Sequence, residues 1–246
     1  MDLLYVVGTG SKHNNIELKY SLRSIEKNCT GYDRIFIAGY KPQFLNDNVI
    51  YVPFEDKTNV YKHWNILNGI KTVVDTTDIS EYFVLQSDDH FYVRPYNFEE
   101  MPLYYKTELI SEVPKACGNP RYKTAIVETR RLLERHGLST LNTSSHCGTL
   151  FNKTLFKFME DNILAEAFSS PWAAEPTCLM QAVMQKSLGM VPVYRRDCKV
   201  KEFPNEKALL EKIADNFCFS ISDRAFTTGI DKYLEKWFPE KSKYEK

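Results

Sequence analysis

The chain has 246 residues, the length of one domain or of two small ones. Its 32 basic and 32 acidic side chains cancel, which argues against nucleic acid or an anionic membrane as a partner bound through overall charge. Hydrophobic residues make up 43% and aromatic residues 13%, enough to build a core, so the composition excludes a disordered chain.

Apolar runs and cysteines indicate the compartment. No apolar run approaches the roughly 18 residues that a membrane span needs, and Leu3–Val7 is too short and lacks the basic start of a signal peptide. The six cysteines are scattered without CxxC spacing, which argues against a zinc ribbon and favours reduced, buried thiols over a disulfide framework. We therefore expect a cytoplasmic protein with no transmembrane segment.

The first hundred residues alternate between strands and helices. A helix is indicated by apolar residues spaced four, three and four apart from Leu18 to Cys29, with Asn14 or Asn15 as its N-cap, and a second by the stripe from Val60 to Val74. Short apolar runs predict four strands: Leu3–Val7, Arg34–Ala38, Val49–Val52 and Tyr82–Leu85. This order predicts an α/β fold with a mostly parallel, Rossmann-like sheet flanked by helices.

The second half is less regular. The segment from Pro102 to Pro120 is expected to be irregular. Helices are predicted at 125–136, 155–168, 178–188, 205–214 and 233–238, and strands at 91–93, 148–151, 191–194 and 217–221. No repeat or linker interrupts the chain, so residues 1–246 are expected to form a single domain.

A glycine cluster follows the first strand, at the position of a phosphate cradle. Gly8, Thr9, Gly10 and Ser11 match neither GxGxxG nor the P-loop, so nucleotide binding in another manner and an ordinary tight turn both stay open. Five arginines are candidates to hold phosphate: Arg23, Arg94, Arg121, Arg195 and Arg196. Arg94 is the best placed, since it lies four residues beyond His90.

The sharpest local feature is Asp88-Asp89-His90, directly after an apolar strand. Two adjacent carboxylates there are costly unless they hold something positive, and ligands of open α/β sheets lie outside the carboxyl ends of strands. Carboxylate oxygens suit Mg²⁺ or Mn²⁺, which usually also hold a substrate phosphate. The pattern favours a metal–phosphate site over a solvated turn.

Two further residues could act as acids or bases. His146 follows a polar run and is either a structural residue, a third metal ligand or an acid–base group. Glu175 precedes Pro176 at a predicted helix start, where a carboxylate either complements the helix dipole or deprotonates an acceptor hydroxyl.

Several segments together resemble a family. Residues 2–11 with 17–27, the block from Glu81 to Phe91, the position of His146, the segment Phe217–Asp223 and the closing Phe238–Glu245 resemble Stealth-type proteins. These are the sugar-phosphate transferases that build bacterial capsular polysaccharide and tag lysosomal enzymes. The chain departs from that pattern in Val7-Gly8, where an aspartate usually precedes the glycine, and in His90 after the aspartate pair. The chain equally resembles compact GT-A glycosyltransferases.

The resemblance implies a metal-assisted transferase that moves a glycosyl or glycosyl-1-phosphate group from a nucleotide-sugar donor to a glycan, polysaccharide or other hydroxyl acceptor. Asp88 and Asp89 would hold Mn²⁺ or Mg²⁺, with His146 as a possible third ligand, and Glu175 or His146 would take the acceptor proton. The donor half would span about residues 1–100 and the acceptor half about 101–246.

Two alternatives come from other classes. The missing aspartate at Val7 motivates a non-catalytic carbohydrate-binding module on the same fold. A nuclease or phosphatase could use the same carboxylates, but no second acidic cluster at metal spacing supports it.

Overall fold

The computed structural model describes residues 1–9, 11–203 and 205–246, so Gly10 of the predicted cradle lies outside the described residues. The strands are β1 Asp2–Val7, β2 Cys29–Thr30, β3 Ile35–Gly39, β4 Ile50–Val52, β5 Tyr82–Gln86, β6 His90–Tyr92, β7 Tyr96–Asn97, β8 Tyr104–Tyr105, β9 Thr107–Glu108, β10 Leu141–Asn142, β11 Thr149–Asn152, β12 Val193–Tyr194, β13 Lys199–Val200 and β14 Cys218–Ile221. The helices are α1 Ile16–Asn28, α2 Lys62–Thr76, α3 Pro120–Arg135, α4 Lys153–Phe158, α5 Ala165–Ser169, α6 Pro176–Leu188, α7 Glu206–Ile213, α8 Asp223–Thr227 and α9 Asp231–Trp237.

A five-stranded sheet in the order β11-β5-β1-β3-β4 forms the centre. Strands β5, β1, β3 and β4 are parallel and only β11 is antiparallel to its neighbour β5. Strand β1 is apolar and buried along almost all of its length because strands pair with it on both sides and helices cover its faces. The predicted mostly parallel α/β fold is therefore confirmed.

A second, smaller sheet lies beside the first, in the order β13-β14-β6. Phe91 on β6 and Phe219 on β14 pack at 5.3 Å between ring centroids, within a separate apolar cluster that includes the C-terminal helix α9. The chain passes from the central sheet to this second sheet through only three residues, 87–89. The predicted Asp88 and Asp89 therefore lie at the junction of two packed cores.

The second half differs from the sequence prediction in several places, and β10, β13 and α8 have no counterpart among the predicted elements. Helix α3 starts five residues early, because Pro120 fits its first turn and the Asn119 side chain accepts a hydrogen bond from the N–H of Tyr122. The helix predicted over 155–168 is split into α4, a π-helical turn at Glu160–Leu164 and α5. The segment from 102 to 120, which was expected to be irregular, contains the short strands β8 and β9.

The C-terminus is fastened to α1 by a buried ion pair. Arg23 on α1 donates to both carboxylate oxygens of Glu245, at 2.8 and 2.9 Å, and also to the carbonyl oxygens of Phe238 and Pro239. Both charged side chains are only 3% exposed. Burial raises the pKa of Glu245, but the hydrogen bonds from Arg23 and Ser242 outweigh it and lower the pKa below its usual value.

None of the helices in the described parts of the chain combines the length and the apolarity that crossing a membrane requires.

Replacing Glu245 with Gln should lower the free energy of unfolding by about 3 kcal/mol, because it leaves the buried Arg23 with only the more distant and more exposed Glu235 carboxylate, at 3.6 Å. Since the pKa of Glu245 is depressed in the folded state, its contribution is present above its unfolded pKa and is lost as the pH falls through the folded one. Urea unfolding at pH 7 and at pH 3 measures both effects.

The matched control is Glu240→Gln, which removes the same charge from an exposed side chain and should change the unfolding free energy by less than about 0.5 kcal/mol. Equal stability of the two variants at pH 7 would contradict the stabilising role of the ion pair between Arg23 and Glu245.

Candidate functional site

Two cavities lie beyond the carboxyl ends of the central strands. The larger one, about 680 Å³, is bounded by the end of β5, the first turns of α2, α3 and α6, the loop around His146 and strand β13. The smaller one, about 270 Å³, is bounded by Gly8, the start of α1, and the residues after β14. Asp89 lines both cavities, whereas Asp88 lines the smaller one only.

The smaller cavity is acidic. Glu17 and Asp223 line it together with Asp88 and Asp89. Burial, followed by the negative charges of Asp89 and Glu17, raises the pKa of Asp88 to about 7. Among the described residues no ion pair involves the Asp88 carboxylate, and Asp89 has only the distant Lys199 ammonium at 3.6 Å and His90 at 3.8 Å. A cation would relieve this repulsion.

The donor chemistry of this pair fits a divalent ion that also binds substrate phosphate, since Mg²⁺-type sites commonly use one or two carboxylates with phosphate and water oxygens. A complete protein cage is absent: across the described ranges no three His, Cys, Asp or Glu side chains are grouped so as to hold a metal. His146 lines the larger cavity and not the one that Asp88 lines, so these two predicted ligands are not brought into one preformed cluster.

His146 is instead held by an aspartate that sequence reasoning missed. Its Nδ1 lies 2.8 Å from both carboxylate oxygens of Asp197, and Lys106 lies 3.1 Å from the same carboxylate. A carboxylate at Nδ1 selects the tautomer whose Nε2 keeps its lone pair. Burial lowers the pKa of His146, against the opposing influence of Asp197, and so favours the neutral ring.

The loop that carries His146 packs closely against the end of β5. His146 has a φ of 48°, in the left-handed region that non-glycine residues seldom adopt. Two residues on, a Cβ at Gly148 would lie 2.4 Å from the Gln86 amide nitrogen and 2.9 Å from the Tyr92 hydroxyl. This position therefore needs glycine, because the loop presses directly onto the end of β5.

Every second residue from 195 to 201 serves the site. Arg195, buried, donates to the carbonyl oxygen of Ser145 at 2.7 Å and so supports the His146 loop. Asp197 holds the imidazole, Lys199 faces Asp89, and Lys201 lines the larger cavity. The alternation has the period of a β-strand, and this signal in the sequence could have found Asp197, Lys199 and Lys201, which were not predicted.

Glu175 caps a helix. Its Oε2 accepts hydrogen bonds from the backbone N–H of Cys178 at 2.7 Å and from the Thr177 hydroxyl at 2.6 Å, at the N-terminus of α6. The side chain also lines the larger cavity. The dipole-complementing interpretation of Glu175 therefore has direct geometric support, and one carboxylate oxygen is committed to it.

Of the predicted glycine cluster, Gly8 and Ser11 line the smaller cavity. The Ser11 hydroxyl donates to Glu17 at 2.7 Å and accepts from the backbone N–H groups of His13 and Asn15, so it organises the entry to α1. Thr9 is exposed. Asn15, not Asn14, is the N-cap residue, and its side chain makes no capping hydrogen bond.

The predicted phosphate-binding arginines, Arg23, Arg94 and Arg195 among them, do not line either cavity beside Asp88 and Asp89. Arg195 donates to the carbonyl oxygens of Ser145 and Cys218. Arg23 lines neither of the two cavities, and its guanidinium is taken up by Glu245 and two carbonyl groups. Arg94 is exposed and lines a separate cavity of about 420 Å³ beside α9. The structure thus gives Arg23 a structural role and separates Arg94 from the carboxylate pair.

The structure resembles those of known glycosyltransferases. A galactosyltransferase, LgtC, solved in complex with donor and acceptor sugar analogues, superposes with a TM-score of 0.51 at 12% identity, covering 98% of this chain and 96% of that one. A glycosyltransferase involved in the glycosylation of the major capsid of PBCV-1 gives a TM-score of 0.45 at 14% identity, covering 96% and 100%. No protein-family model and no curated protein sequence matches the chain. The likeness to LgtC shows a shared GT-A-like fold.

Replacing Glu175 with Ala should lower the unfolding free energy by about 0.5–2 kcal/mol, because α6 loses its side-chain cap. Glu175→Gln keeps a side-chain oxygen that can accept from the N–H of Cys178 and should lose less. Asn205→Ala, which removes the corresponding cap of α7, calibrates the scale. If Ala and Gln at 175 unfold at the same urea concentration as the unaltered protein, the capping interpretation is wrong.

Proposed function

We propose that this protein is a metal-dependent glycosyltransferase that uses a nucleotide-sugar donor. The observation that carries the proposal is the position of Asp89, at the carboxyl end of a central parallel strand and on the border of an acidic and a larger cavity. The GT-A-like fold, shared with a galactosyltransferase, supports it. The Stealth-type resemblance of the motifs remains a prediction about the finer family.

In this proposal the donor diphosphate lies at Asp88 and Asp89, which would hold Mn²⁺ or Mg²⁺. A divalent ion bound there supplies charge neutralisation for the diphosphate leaving group. Lys199, 3.6 Å from Asp89, adds a fixed positive charge beside the same phosphates. The small cavity between Gly8 and Phe226 is where the rest of the nucleotide would lie.

The acceptor occupies the larger cavity, where its hydroxyl donates its proton to Nε2 of His146. Asp197 keeps the imidazole oriented and compensates the positive charge that the ring gains. The acceptor oxygen then attacks the anomeric carbon, the bond from that carbon to the nucleotide oxygen breaks, and the nucleoside diphosphate leaves with the electron pair. We assign the base to His146 rather than to Glu175, because one oxygen of Glu175 already caps α6.

The same site geometry also suits attack on the sugar-side phosphorus, the chemistry that the Stealth-type resemblance implies. That reaction transfers a glycosyl-1-phosphate and releases a nucleoside monophosphate. A thermal-shift panel of UDP-, GDP-, CMP- and dTDP-sugars with and without Mn²⁺ identifies the donor, and mass spectrometry of the released nucleotide distinguishes the two chemistries. A donor that binds without any turnover would favour the carbohydrate-binding alternative.

Replacing Asp89 with Asn should abolish metal-stimulated binding of the donor, because the position loses its negative charge toward the cation. Isothermal titration of the donor with and without Mn²⁺ measures this. Asp161→Asn, an exposed aspartate outside both cavities, is the matched control and should bind the donor normally. Unchanged metal-dependent donor binding by the Asp89 variant would contradict the assignment of Asp89 as a metal ligand.

His146→Gln should reduce kcat by about 10²–10⁴ while donor affinity stays within about twofold, as expected when a general base is lost. Asp197→Asn should also lower kcat more than it raises KM, because it removes the charge that orients and stabilises the imidazole. Asp215→Asn, an exposed aspartate, is the control. A loss of donor affinity without loss of kcat would show that His146 serves binding instead.

A further inference from the structure

One wall of the larger cavity is made of helix N-termini. Residues 61–63 at the start of α2, Asn119 and Tyr122 at the start of α3, and Glu175 to Thr177 at the start of α6 all line it. These helices have 15, 16 and 13 residues, long enough for their aligned peptide dipoles to place partial positive charge at this wall. The backbone at the starts of α2 and α3 therefore favours an anion, whereas the Glu175 carboxylate already complements the dipole of α6.

The N-terminus of α2 is left open. Its N-cap residue, Tyr61, makes no side-chain capping bond, and its first turn contains no acidic residue. Within the described residues, no acceptor is found for the backbone N–H groups of Lys62 and His63, whereas α3 is capped by Asn119 and α6 by Glu175. Unsatisfied N–H groups at a helix start are donors available to a ligand.

Two lysines lie at helix N-termini, where the helix dipole disfavours a positive charge. Lys62 is the first residue of α2 and Lys123 lies in the first turns of α3, and both line the cavity. Neither ammonium forms an ion pair within the described parts of the chain, in contrast to Lys106, which is bound to Asp197. A cation at a helix N-terminus lowers helix stability, so this placement needs a gain elsewhere.

A buried histidine points to a ligand independently of the helices. His63 lines the same cavity, is only 2% exposed, and its Nδ1 has no hydrogen-bond partner in the described residues. Burial lowers its pKa to about 4, so it is a neutral hydrogen-bonding group at pH 7. Buried polar atoms without a partner are rare and costly, and here the atom belongs to the open turn of α2.

We propose that this wall, formed by the open N-terminus of α2 with Lys62 and Lys123, binds a phosphate group carried by the acceptor. The proposal rests on the proposed function and names its acceptor class: a phosphorylated sugar or glycan. The acceptor is the substrate concerned because His146, the base that must reach its hydroxyl, lines this same cavity. Of the two aspartates, Asp88 lines only the other cavity and Asp89 lies on the border of both. Tyr61 and Tyr122, each next to one of the lysines, also line the cavity and add aromatic surface that a sugar ring could contact.

The experiment compares phosphate binding by the full chain, freed of metal with EDTA, in three forms. These are the unaltered protein, Lys62→Gln/Lys123→Gln, and the control Lys157→Gln/Lys232→Gln, which removes the same charge from exposed lysines outside the cavity. Isothermal titration uses inorganic phosphate, glucose 6-phosphate and glucose. The cavity variant should bind both phosphates at least about tenfold more weakly, the control should be unchanged, and glucose should bind more weakly than its phosphate ester. Equal phosphate binding by all three proteins, or none by the unaltered one, overturns the proposal.

A second experiment tests whether the lysines bind the acceptor phosphate or the donor diphosphate. It is needed because the positive charge of Lys62 also acts on Asp88 and lowers its pKa slightly against the larger opposing effects. UDP-glucose is titrated with Mn²⁺, and the cavity variant should keep donor affinity within about twofold. A donor loss as large as the phosphate loss would assign the wall to the donor and overturn the acceptor class. If no nucleotide sugar is turned over, the proposed function fails, yet the metal-free phosphate arm still decides whether the wall is an anion site.

Discussion

The crossing from the central sheet to the second sheet is the constraint on which the site depends. Strand β5 is fixed by β1 on one side and β11 on the other, and β6 is fixed by β14, so only residues 87–89 join two rigid ladders. The Gln86 amide donates to the Tyr92 hydroxyl at 2.9 Å, and this hydroxyl also accepts from the N–H of Gly148. The corner is thus tied to the His146 loop, and Asp88 and Asp89, both half-buried, lie between the two cores and line the cavities.

The two cavities on either side of this corner are lined by side chains of predominantly opposite charge. A chain with no net charge still gathers Glu17, Asp88 and Asp223 around one cavity, and around the other it sets five lysines against the carboxylates of Asp89, Glu175 and Asp197. Because water is partly excluded from both, the interactions within each cavity are stronger than at an open surface. One cavity favours a cation and the other favours anions, with Asp89 between them. A metal-bound diphosphate next to a second anionic group suits this division, and a large neutral ligand does not use it.

Local patterns in the sequence predict the central strands and the position of the carboxylate pair at a strand end. The end of β5 and the aspartates after it follow from an apolar run that stops at polar residues, and strand ends in an α/β sheet converge at one edge. The pairing of His146 with Asp197 joins residues 51 positions apart, so no local pattern shows it. Arg23 is misleading for the same reason, because its partner Glu245 is 222 residues away.

The period-two run from Arg195 to Lys201 couples parts of the site that the sequence presents as unrelated. Strand β13 pairs with β14 so that Lys199 lies opposite Ser220, and β14 pairs with β6, whose first residue follows Asp89. Asp197 lies two residues before β13, so a register shift of β13 by one residue would turn Lys199 from Asp89 and also displace Asp197 from His146. The second sheet therefore sets the position of the imidazole and of the cation beside the carboxylates at once, and its apolar cluster of Phe91, Phe219 and their neighbours stabilises the site as well as the fold.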